Sequence, residues 1–182
     1  MREIEGRWPG VRVLPKGDSR FCRVIDRALK IITFGGQDRF LDGYVTTLGR
    51  RIYVPDSWFA MDAGERYCIL RHEAVHLEQF RRFTWPGMVL LYLLLPLPVG
   101  LAGGRAWLEW QGYRETLDAH WQLYGPAAAH SGALKKGIVR RFTGPDYAWM
   151  WVLGRTIERA IARHLAYREA NPPPPLEFPD AR

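Results

Sequence analysis

The sequence predicts a mostly α-helical α+β domain, with one central helix packed beside a small β-hairpin or sheet. Three observations carry that prediction. Apolar residues recur at helical spacing in most of the chain. A short β-prone run, closed by Gly49-Arg50, stands just ahead of the strongest helical stretch. The composition, 47% hydrophobic and 25% charged, is that of a globular chain with a real core. At 182 residues it fits one domain.

Taken in order, residues 1–17 lack a signal peptide's apolar core, carry Pro9 and Pro15, and read as a surface arm. Residues 18–170 form the domain. Asp18 or Ser19 caps a helix whose inward stripe is Phe21, Val24, Ile25, Ala28, Leu29, Ile31 and Ile32, ended by Gly35-Gly36. Residues 40–48 predict a strand, with Tyr44, Val45, Thr46 and Thr47 β-prone. After the turn, residues 51–54 predict its partner, which stops at Pro55. Asp62 and Glu65 form a capping box for a helix running to Phe83. Residues 106–124 and, more weakly, 127–141 predict further helices. Residues 146–168 predict a last one, with His164 on its apolar stripe. Residues 171–182 are a Pro-rich tail, with a disordered end as the default.

The helix after Asp62 contains His72-Glu73-Ala74-Val75-His76. Positions i and i+4 share a helix face, so His72 and His76 can point two imidazoles at one ion. Glu73 lies about 100° further round and reaches the same site without being a ligand. Two neutral imidazoles suit Zn²⁺, and the adjoining carboxylate can take a proton from a metal-activated water. Burying three such polar groups with no common partner would be costly. A catalytic zinc site takes three protein ligands and leaves one position open. On the 106–124 helix Glu109, Tyr113, Thr116 and His120 share a face, while Glu115 and Asp118 point away. Glu109 is the expected third ligand. His120 is the alternative ligand, or a group that contacts substrate.

His72-Glu73-x-x-His76 with a downstream helical Glu109 resembles the gluzincin zinc metallopeptidases, in particular small single-domain members from bacteria and phages. The resemblance implies a zincin-like fold, with His72, His76 and Glu109 as zinc ligands and Glu73 as general base. It also implies an edge strand that pairs with a peptide or protein substrate. Tyr147 enters on the resemblance alone, as a polar group for the oxyanion. Many gluzincins carry Asp four residues after the ligand Glu; here Tyr113 stands there, so the groups that orient the ligands must differ.

Residues 85–102 carry no charge. Pro96 and Pro98 shorten any helix in them. His76 and Glu109 flank the stretch and must meet, which argues against a single membrane span. A buried apolar turn-back and a peripheral membrane contact both remain open, the latter because Arg81, Arg82 and Arg105 flank it. The net charge is +7. No basic run with interleaved aromatics stands out, so specific nucleic-acid binding is not expected. Cys22 and Cys68 form no pair motif, consistent with a cytoplasmic location. Besides a hydrolase, the motif is compatible with a structural-zinc interaction module, or with a membrane-surface protein in which metal is secondary.

Overall fold

The computed structural model describes residues 9–32, 34–36, 38–93, 103–144 and 152–176, and these described residues are 68% helical with one small mixed sheet. Three strands build that sheet: β1 (Arg12–Pro15), β2 (Thr46–Leu48) and β3 (Arg51–Val54), in the order β1-β3-β2. β2 and β3 form the expected hairpin, with Thr47 opposite Ile52 and Gly49 at φ 64° in the turn. β1 corrects the expected arm: Arg12–Pro15 runs parallel to β3, with Val13 opposite Ile52. Pro15 is tolerated because β1 is an edge strand. The Lys16 amide extends the pairing by donating to the Val54 carbonyl at 2.8 Å.

The strand expected over 40–48 is shorter, covering only Thr46–Leu48. Its missing part has a local cause. The Lys16 ammonium, fully buried, donates to the carbonyls of Phe40 and Tyr44, both at 2.6 Å. Those oxygens therefore bind a cation instead of a strand neighbour. The Phe40 and Tyr44 rings cover the same ammonium, at 4.2 and 4.7 Å from their centroids. Burial lowers the Lys16 pKa to about 8, against the raising influence of Cys22, Glu73, Asp42 and Asp26.

α1 (Arg20–Ile32) starts at Ser19, whose hydroxyl accepts from the Cys22 amide at 3.2 Å. Its inward side differs from the expected stripe. Cys22 and Asp26 are buried and Ile25 and Leu29 partly so, whereas Phe21, Val24 and Ile31 are exposed. The helix turns Cys22 and Asp26, two of the groups acting on the Lys16 charge, into the fold.

α2 (Ala63–Leu93) is capped as expected, the Glu65 amide donating to Asp62 Oδ1 at 2.9 Å. It breaks at Thr84, whose φ of 58° and ψ of 177° are non-helical. One side of α2 packs on the sheet through Leu70 and Leu77, against Ile52, Val54 and Trp58. The other side meets α3 (Gly103–Tyr124). Gly64 lies against Tyr124, His72 against Gly112, and Phe83 against Trp107, so the two helices run antiparallel.

Beyond α3 lie the short α4 (Pro126–Ala129), α5 (Gly132–Thr143) and α6 (Gly154–Ala170). The helix expected over 146–168 starts later: Val152 and Leu153 are non-helical, Leu153 being the extended N-cap before Gly154, and residues 146–151 lie outside the described ones. Ala106 and Leu117 of α3 join Ile138, Phe142, Ile157, Ile161 and Leu165 in a second core. Of the tail, Pro173 is buried and the Pro174 carbonyl accepts from Gln122 Nε2 at 2.6 Å, so residues 172–175 lie against α3. No helix of the described residues is long and apolar enough to cross a membrane.

Candidate metal centre

The site sits where α2 faces α3. His72, His76 and Glu109 are buried, Glu109 to 1% exposure. Their ligand atoms lie within 4.8 Å of one another. His72 Nε2 and His76 Nε2 are 3.1 Å apart, and Glu109 oxygens lie 3.5 Å and 3.7 Å from them. Donors at about 2.0–2.1 Å from a tetrahedral ion stand roughly 3.4 Å from each other. The imidazole pair and the nearest carboxylate oxygen of each lie close to that spacing, although the two short contacts use different Glu109 oxygens, Oε2 to His72 and Oε1 to His76.

The tautomers follow from the partners of the other ring nitrogens. Gln79 Oε1 can only accept, so His76 Nδ1 donates to it, at 2.9 Å. Gln79 Nε2 donates in turn to the Leu108 carbonyl at 3.1 Å, which secures the amide's orientation. Thr116 gives its hydroxyl proton to the Gly112 carbonyl, 3.3 Å away. Its oxygen then accepts from His72 Nδ1, at 3.3 Å. Both imidazoles thus turn bare Nε2 lone pairs inward, beside a carboxylate. Two lone pairs at 3.1 Å repel unless a cation or a proton sits between them. The surroundings of His72 favour its protonated form. Desolvation lowers its pKa, but the hydrogen bond and charge of Glu109, aided by Glu73 and the Gly112 carbonyl, outweigh that and raise it. The donor set, two imidazoles and a carboxylate, fits Zn²⁺.

Close packing keeps His72 in place. A Cβ on Gly112 would stand 2.7 Å from His72 Cε1 and Nε2. Tyr113 sets its ring edge-on to His72 at 4.7 Å and leans on Phe142. Glu73, buried beside the cluster, accepts from Thr47 Oγ1 at 2.7 Å, which ties it to β2.

The structure brings His72, His76 and Glu109 together and sets Glu73 next to them, but not His120. That residue lies eleven positions beyond Glu109 on α3, about 16 Å at 1.5 Å per residue. Its Nδ1 bonds the Thr116 carbonyl at 2.8 Å, and it is outside the ligand cluster. Tyr147 lies outside the described residues. Glu115 and Asp118 point away as expected. Glu115 accepts from Arg71 at 2.6 Å, and Asp118 accepts from His164 at 2.8 Å and from Arg168. His130 pairs with Glu169 at 3.2 Å. Thr47 carried no role in the sequence, because its partner is 26 residues away. Gln79 is signalled in the sequence only by its i+3 spacing from His76. No family model, no curated protein and no solved structure matches this chain.

Proposed function

We propose that the protein is a zinc-dependent hydrolase acting on a peptide or amide bond, with a zincin-like arrangement of its motif helix and sheet. One observation carries the reading: two lone-pair-bearing imidazoles and a buried carboxylate converge at ligand spacing, with a second carboxylate beside them. Among the described residues no fourth His, Cys, Asp or Glu joins the cluster. That favours an open coordination position over a closed structural site.

His72, His76 and Glu109 would hold the ion. When bound, it supplies Lewis acidity, which makes water a nucleophile near neutral pH and polarises a carbonyl. Glu73 is the general base. Thr47 donates to its Oε2, which orients the carboxylate and leaves the other oxygen to take a proton and return it to the leaving amine. β2, an edge strand tied to Glu73 through Thr47, is the surface on which an extended peptide would lie.

Elemental analysis and turnover on a casein or peptide-library substrate test this together. Wild type is expected to carry about one zinc per chain. His72→Ala should lose the metal, whereas Glu73→Gln should keep it and lose at least a hundredfold in rate. Undiminished zinc in His72→Ala ends the site assignment. Wild-type turnover in Glu73→Gln ends the assignment of the base.

A further inference from the structure

We propose that the far end of the α2–α3 pair, beyond the metal centre, is a docking face for an anionic lipid surface. Trp85 of α2 and Trp107 of α3 emerge there, each 49% exposed. Both are held. Trp107 meets Phe83 edge-on at 6.2 Å, and Trp85 meets Phe80 at 5.3 Å. The Trp85 indole nitrogen also lies 3.1 Å from where a Gly49 Cβ would stand, so the β2–β3 turn backs the ring. The non-helical Thr84 immediately precedes Trp85.

Charge around these rings is net positive, its acidic member, Glu78, being paired with Arg81. Arg50 and Arg51 follow Gly49 and are exposed, as are Arg81 and Arg82. Arg81 forks onto Glu78, and Arg82 lies over the Phe83 ring at 5.4 Å. From Gln79 to Leu108 the sequence has three arginines and no acidic residue. From Trp85 to Leu93 α2 carries no charged side chain at all.

Half-exposed indoles beside an uncharged helical segment, with arginines behind them, match a headgroup boundary. Indole is favoured there because it offers an apolar body and one N–H, while guanidinium groups reach anionic phosphates. A nucleic-acid surface would instead interleave cations with stacking rings. A second copy of this chain would set the same arginines against one another. The lipid surface is the partner whose charge complements this face. The contact stands independently of the metal reading.

The test is sedimentation of the full chain with phosphatidylcholine vesicles, with or without about one-third phosphatidylserine, monitored also by tryptophan emission. Runs with and without a zinc chelator separate this contact from the metal site. Wild type should sediment with the anionic vesicles, chelator or not, with blue-shifted emission. Trp85→Ala/Trp107→Ala should weaken partitioning at least tenfold. Leu153→Ala, at another exposed apolar position, should leave it unchanged. If the double alanine variant loses helical circular dichroism, Arg51→Glu/Arg82→Glu carries the test, and should abolish the preference for phosphatidylserine. Absence of vesicle binding by wild type overturns the proposal, as does equal binding by a folded double-Trp variant. So would a single-stranded oligonucleotide, or self-association in gel filtration, proving to be what the tryptophans support in place of vesicles.

Discussion

Gln79 and Gly112 do for the two imidazoles what no ligand can do for itself. Gln79 sets the His76 tautomer by accepting from Nδ1 and is anchored at the Leu108 carbonyl. Gln79→Leu should therefore keep the fold and weaken zinc affinity by about 10–100-fold, measured against a chromophoric chelator. Gly112→Ala acts by volume. The added methyl collides with a ring that α2 and Tyr113 already enclose, at a cost of about 1–3 kcal/mol in thermal or urea unfolding. Zinc affinity should fall in the same variant. An alanine variant with wild-type affinity would show that the His72 ring has room to retreat. At this scale the three residues that converge were legible and their supports were not. The i, i+4 histidines and the helical face of Glu109 can be read from spacing alone. That Tyr113 offers a ring edge to His72, and that Thr116 relays to Gly112, depends on how closely α3 approaches α2.

The elements divide the same way. α2 and α3 announce themselves by periodicity, and Asp62 caps α2 as its box predicts. β1 does not, because four residues ending in proline become a strand only when β3 arrives from much further along the chain. Residues 40–45 look β-prone, yet two of their carbonyls are claimed by Lys16. The joint between α3 and α6 is held by Asp118, buried and receiving His164 and Arg168. Desolvation raises the Asp118 pKa, but the bonds from His164 and Arg168 lower it further, so the net shift is downward. A depressed carboxyl contributes stability that is complete above its unfolded value, near 3.8, and disappears as pH falls through the folded one. Asp118→Asn should cost about 3 kcal/mol at neutral pH, since it leaves a buried histidine and a half-buried arginine without their anion. Urea unfolding at pH 7 and pH 3 checks this, and the gap between the two proteins should narrow at the lower pH.

Across the whole molecule, successive layers (α1, sheet, α2, α3, then α5 and α6) place α2 between a sheet and a helix, and so hold its histidines away from water. The coarse fold class is visible in composition and periodicity. The layering is not, because it depends on which face of each helix wins a partner: α1 turned Cys22 and Asp26 inward and left Phe21 and Val24 outside. The enclosed Lys16 has a consequence for the alkaline side of the stability curve. In the fold its proton leaves near pH 8, whereas a solvated lysine keeps its own to about 10.5. Between those values Lys16 captures a hydrogen ion on denaturation and so favours the native state as the medium becomes more basic, until above about pH 9 the buried Cys68 thiol, pushed up to about 11, releases one on unfolding and opposes it. Calorimetry at pH 9 in buffers of unequal ionisation heat should register that uptake as a buffer-dependent enthalpy, present in the natural chain and missing from Lys16→Met.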